Sequence, residues 1–314
     1  MSLAEQRGKL LKYGYYRPDG IDVEDVDAWR SLGVDHVYHG NAARRYQEFF
    51  LQAIGPQVYA VHGREFILSD DIGPVTAWEL SKPRCGVPDL LPLGAEKANW
   101  PNECRMKLTA SYKPGTTLPG ITTAEYERAT LRALLNVMED FEIKIELDQE
   151  SYPNTSVNRK PARLGGSILA DQYLATNRCD FTSSGRIDSD RNWEFWYLVT
   201  VMSHEDGHAW GMPHNSDPDA LLYPSINRAA VAQRGKMNAT DKQTMRNLGY
   251  VPRTTPIPPL PQWQPTPHSP KLKRPKWLKW PTTAWPVSST PSTLRPMATP
   301  FLRSRWVTSP HRPA

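Results

Sequence analysis

At 314 residues the chain is long enough for two domains. It contains no apolar run near the roughly eighteen residues that would span a bilayer, which argues against a membrane-crossing helix. Three cysteines (Cys85, Cys104 and Cys179) are too few for a disulfide scaffold, and an odd count leaves a free thiol unless one pairs between chains. The net charge of +5 is unevenly spread: residues 251–314 carry ten Lys or Arg and no acid, so the first 250 residues are net acidic.

Residues 1–90 read as a small helical unit. The opening MSLAEQRGKLLKYGYY lacks the continuous apolar core of a secretory signal, so export would use another route or the true start would lie upstream. Tyr46, Phe49, Phe50 and Ala53 fall at helical spacing within 41–53, and 72–80 is a second short helix. Pro83, Gly86 and Pro88 then break regularity.

From about residue 100 to 250 the pattern mixes strands and helices. Cys104, Met106, Leu108, Ala110 and Tyr112 alternate with polar residues as a half-buried strand does, and Phe141, Ile143, Ile145 and Leu147 repeat the pattern. Between them Thr122 and Glu125 form a capping box that opens a helix running to about residue 139. A weaker strand falls at 165–174, a long helix at 192–210, and a last helix from Thr240, capped by Gln243, to Gly249. Residues 251–314 hold 16 of the 30 prolines without apolar periodicity and are expected to be disordered.

The string His204-Glu205-Asp206-Gly207-His208-Ala209-Trp210-Gly211-Met212-Pro213-His214 is an HExxHxxGxxH pattern. Residues four apart share a helix face, so His204 and His208 can point at one ion, with Glu205 beside them as general base. Gly211 can take the left-handed conformation that ends the helix and turns His214 back as a third ligand. Three neutral nitrogens leave zinc an open position for water, the arrangement of a catalytic site.

On these residues the chain resembles the metzincins, and among them the matrixin (matrix metalloproteinase) family of zinc endopeptidases. The resemblance implies an α+β, zincin-like catalytic domain. Ala220-Leu221-Leu222-Tyr223-Pro224 is similar to the family's Met-turn, with Leu222 where that family has methionine. Asp206 stands where the family usually carries an apolar residue. Pro83-Arg84-Cys85-Gly86-Val87-Pro88-Asp89 matches the family's cysteine-switch motif at every position. That implies a latent precursor in which Cys85 is the free thiol and a zinc ligand, with Arg84 and Asp89 paired to brace the loop. Residues 1–81 resemble the family's helical, peptidoglycan-binding-like prodomain, through 42–49 and 73–80.

Further site residues follow from the same resemblance. Ile168, Leu169 and Ala170 fall in the edge strand along which the family lays its substrate antiparallel; an interior strand softened by Gly165 and Gly166 is the alternative. Asp188 and Asp190 could contribute to a calcium site, although Arg191 stands where an acidic ligand is expected. No histidine lies between residues 63 and 203, so a second, structural zinc is not expected and one zinc is. Cys104 and Cys179 form a disulfide or remain two buried thiols.

The expected organisation is a prodomain at 1–90, an activation linker at 91–99, a catalytic domain at 100–250 and a basic tail at 251–314. In the tail, 271–280 interleaves cations with tryptophan, as would suit an anionic surface or cell-wall polymer or simply a solvated linker. The proline-rich 256–261 could serve as a polyproline ligand. The expected partner is a protein or peptide substrate, met outside the cell by a monomer, with no specific nucleic acid. A rival reading is a cell-wall or anionic-polymer binding protein whose zinc site is vestigial.

Overall fold

Strands run side by side in the order β1-β5-β6-β4-β2-β3, and every neighbouring pair is parallel except β5 with β6. These are β1 (Arg84–Cys85), β2 (Leu108–Tyr112), β3 (Ile145–Leu147), β4 (Val157–Ala162), β5 (Ile168–Gln172) and β6 (Ser183–Asp188). The computed structural model describes residues 1–16, 36–90 and 99–255, apart from 149, 177 and 227. The expected linker (nearly all of it), the proline-rich segment, and the interleaved cations and tryptophans of the tail lie outside the described residues. No helix among the described residues is long and apolar enough to cross a membrane.

The N-terminal part is helical: α1 (Leu3–Lys12), α2 (His36–Phe49), α3 (Leu51–His62) and α4 (Pro74–Ser81). The helix expected over 41–53 is thus two, meeting at Phe50, which accepts no side-chain cap. Ser2 and Glu5 box the start of α1 reciprocally. Buried Tyr15, Tyr46, Phe50, Ile54 and Leu80 form one apolar cluster, and Ile168 and Tyr223 belong to the same cluster. The helical unit is therefore packed onto the sheet-bearing part rather than hanging from it.

Two further helices cross the sheet. Helix α5 (Thr123–Met138) begins at the Thr122–Glu125 box and buries Tyr126, Ala129, Ala133 and Leu134. Helix α6 (Phe195–Ala209) buries every residue from Leu198 to Ala209, so it is a central helix rather than a surface one. Short α7 (Arg228–Ala232) and α8 (Ala239–Asn247) close the described chain. The cap of α8 is not the expected Thr240–Gln243 pair: Asn238 is the N-cap, boxed with Asp241. Cys104 and Cys179 are joined as a disulfide, and Cys85 is free and buried.

Candidate metal centre

Helix α6 delivers His204, Glu205 and His208 on neighbouring turns, and ends at Trp210. Gly211 follows with φ +89°, the left-handed conformation that glycine adopts without a Cβ clash. The chain thereby doubles back and brings in His214. The three Nε2 atoms stand 3.2 Å from one another in an equilateral triangle. The Nδ1 atoms of His204 and His208 donate to the carbonyls of Leu221 and Met212, each at 2.7 Å. A carbonyl only accepts, so both protons are on Nδ1 and the facing Nε2 atoms carry lone pairs.

Lone pairs converging at that spacing cannot satisfy one another. A tetrahedral zinc with bonds of about 2.0–2.1 Å separates its ligands by about 3.3–3.4 Å, so the triangle fits that ion. Cys85 Sγ completes the group: all four ligand atoms lie within 4.8 Å of one another and all four residues are buried. The thiol also stands 3.5 Å from Glu205 Oε2 and 3.5 Å from His208 Nε2. Burial lowers His204 to about 4 and holds His208 and His214 well below their ordinary range, keeping the imidazoles neutral as ligands must be. Burial raises Glu205 to about 8, and burial followed by the Glu205 charge pushes the Cys85 thiol well up.

Beneath the triangle, the turn 220–224 supplies the floor. A Cβ on Gly207 would come within 2.7 Å of Leu222 Cδ2, so α6 rests directly on that leucine. Asp241 fixes the turn from below, accepting from Leu221 N at 2.7 Å and Leu222 N at 3.2 Å. Sequence reasoning missed this role. The signal was the Asn238–Asp241 spacing, which marks a capping box with a carboxylate at its third helical position.

The segment carrying Cys85 is clamped from both sides. Arg84 N donates to Ser167 O and Gly86 N to Ala170 O along β5, while Cys85 N donates to Pro224 O. Arg84 pairs with Ile168 and Cys85 with Ala170, so β1 occupies the exposed edge of the sheet at Ile168, Leu169 and Ala170. It does so in parallel, whereas the expected substrate direction is antiparallel. Arg84 and Asp89 form an ion pair with both side chains fully buried. The Arg84 guanidinium lies 3.7 Å over the Tyr13 ring, Tyr15 Oη donates to Asp89 Oδ2 at 2.6 Å, and Asp89 N donates to Tyr13 O. The part played by 13–15 carried no motif in the sequence.

Asp206 has a buried partner. Its Oδ1 accepts from Arg159 of β4 at 2.5 Å, with both side chains buried. At the loop before α6 the two acidic residues are already engaged by cations. Asp188 lies 3.7 Å from Arg191, and Asp190 lies 3.1 Å from Arg163.

A buried triangle of histidines on a helix and its return turn, with a glutamate alongside, a mixed sheet above and a tight turn below, is an arrangement that could hold a metal ion. The matrixin family model (peptidase M10) matches residues 135–250. It is 28% identical to human matrix metalloproteinase-20 over 157 residues, 46% of this chain and 32% of that protein. It is 30% identical to human neutrophil collagenase over 162 residues, 46% and 33% of the two chains. With interstitial collagenase A of Mus musculus the identity is 29% over 198 residues, 59% and 41% of the two. These matches span about a third to two-fifths of each relative's length.

Proposed function

We propose that the chain is a zinc-dependent endopeptidase held latent by its own N-terminal unit. The observation that carries the reading is the convergence of three histidine Nε2 atoms, those of His204 and His208 bearing lone pairs, with Glu205 and the Cys85 thiol in one buried cluster. His204, His208 and His214 hold one zinc, and Cys85 is its fourth ligand in the latent form. When bound, zinc supplies Lewis acidity, polarising the scissile carbonyl and lowering the pKa of the attacking water.

The chain's own residues do the rest. With β1 withdrawn, the main chain of Ile168, Leu169 and Ala170 on one side and Pro224 on the other is free to pair with an extended peptide. Glu205 takes the proton from the water and passes it to the leaving amine. Leu222, in place of methionine, fills the floor under Gly207 without a coordinating role. Arg84 and Asp89 brace the loop that presents Cys85.

The proposed organisation is a latency unit at 1–90, a linker cut on activation at 91–99, a catalytic unit at 100–250 and a basic tail at 251–314. The Cys104–Cys179 disulfide supports a working place outside the cytosol. Calcium would have to displace Arg191 and Arg163 from Asp188 and Asp190, so we give it no part in the mechanism. The convergent site with its glutamate in place favours hydrolysis over polymer binding by a vestigial centre.

The test is Glu205→Ala. It should keep one zinc per chain by metal analysis yet lose about 10²–10⁴-fold in cleavage of a fluorogenic peptide after removal of residues 1–99. Near-normal cleavage would end the proposed role of Glu205, and absence of zinc from the parent would end the metal reading.

A further inference from the structure

Each histidine of the triangle turns its second ring nitrogen outward, and the groups waiting there differ in kind. For His204 and His208 they are the main-chain carbonyls of Leu221 and Met212, which belong to the same half of the chain as the histidines themselves. Those contacts need nothing from the N-terminal unit. For His214, among the described residues, no carbonyl takes that part. The buried group beside its Nδ1 is the carboxylate of Asp89, 2.8 Å away with both side chains fully buried. The approach lies off the N–H axis, so it is a close contact of a neutral ring with a carboxylate rather than a straight hydrogen bond.

Asp89 is itself held in place. Its Oδ2 accepts from Tyr15 at 2.6 Å, Arg84 pairs with its Oδ1, and its main-chain nitrogen is tied to Tyr13 O. A carboxylate behind a metal-binding imidazole fixes the ring's orientation and tautomer and raises the donor strength of the far nitrogen. Losing such a partner typically costs 10–100-fold in metal affinity.

We propose that Asp89 is a positioning residue for the metal, acting through His214, so that the docked N-terminal unit strengthens zinc retention by a second route besides the Cys85 thiol. This rests on the latent-peptidase reading and extends it. The same loop then supplies a ligand to the ion and a partner to another ligand, and its withdrawal removes both together.

The test uses the full chain with Cys85 intact, loaded either with zinc or with cobalt(II). The thiolate-to-cobalt charge-transfer band reports whether sulfur remains on the metal, and transfer of zinc to excess chromogenic chelator gives the release rate. Asp89→Asn should keep the band and release zinc about 10–100-fold faster than the parent. Because that change leaves Arg84 buried without a counter-charge, the pair variant Arg84→Met with Asp89→Asn is measured beside it, with near-UV circular dichroism to establish that it is folded. It should show the same acceleration. Folded variants that release zinc at the parent rate overturn the proposal. So does loss of the band, which would assign Asp89 to holding the latch and nothing more. A parent chain that takes up neither metal would overturn the zinc reading itself.

Discussion

Arg84–Asp89 and Arg159–Asp206 are chemically one contact, a guanidinium on a carboxylate with both side chains buried, yet they are built into the molecule in opposite ways. The first closes a loop five residues long and leans on partners from elsewhere: the Tyr13 ring, Tyr15 Oη and His214 Nδ1. The second joins strand β4 to helix α6 across 47 residues of chain and lies wholly within the sheet-bearing part. On the proposed reading, the contact to be undone is short-range in sequence and borrowed in space. A contact made to last ties two elements of the same core. Burial makes both costly to break singly, because the surviving charge is left without a partner.

The comparison can be broken at three points. The largest effect is expected from Asp206→Ala, which strands Arg159 between sheet and helix. Global stability should fall by about 3–5 kcal/mol in urea unfolding followed by tryptophan fluorescence. A loss under about 1 kcal/mol would mean that the helix and sheet are held by packing alone.

Next comes Arg84→Ala, where the damage should stay local. The urea midpoint of the sheet-bearing part should hardly move, while the Cys85 thiol, now closed off by burial, should react with a disulfide reagent about tenfold faster or more, corresponding to roughly 1.4 kcal/mol of easier local opening. Equal thiol reactivity in variant and parent would show that the Tyr13 and Tyr15 contacts suffice without the ion pair.

The smallest effect is expected from replacing the second pair as a unit. Arg159→Met with Asp206→Leu restores the apolar residue that the family usually has beside the glutamate. Stability should stay within about 1 kcal/mol of the parent, since the desolvation penalty and the attraction vanish together. A drop as large as that of Asp206→Ala would mark the pair as indispensable to the fold.

What could be read in the sequence was whatever chemistry concentrates in a few adjacent residues. The histidines, Glu205, Gly211 and the loop from Pro83 to Asp89 are each defined by local spacing, and the structure brings the three histidines and Cys85 to one cluster with Glu205 beside the thiol. Helix α5 was equally legible, because its cap and its apolar stripe agree. Strands β4 and β6 escaped notice for a physical reason. Their buried positions include Asn158, Arg159 and Ser183, polar groups that spoil the alternation on which strand reading depends. The same residues hid the partner of Asp206, since a pairing between a strand and a helix 47 residues apart leaves no local trace. The expected strand over 104–112 begins only at Leu108, with Cys104 held in a turn and joined to Cys179.

The direction in which β1 lies along β5 has a kinetic consequence. Strand β1 runs parallel to the edge that a substrate would meet antiparallel, so its carbonyls and nitrogens alternate in the reverse sense. A peptide threaded backwards past Glu205 offers no scissile bond in the posture that attack requires. On the proposed reading, a molecule whose cleft is filled this way cannot cut the segment that fills it. With the Cys85 thiol also on the metal, release by its own kind would need a second, already open copy, and the onset of activity would be autocatalytic: a lag that shortens with protein concentration, and vanishes when a trace of cleaved chain is added.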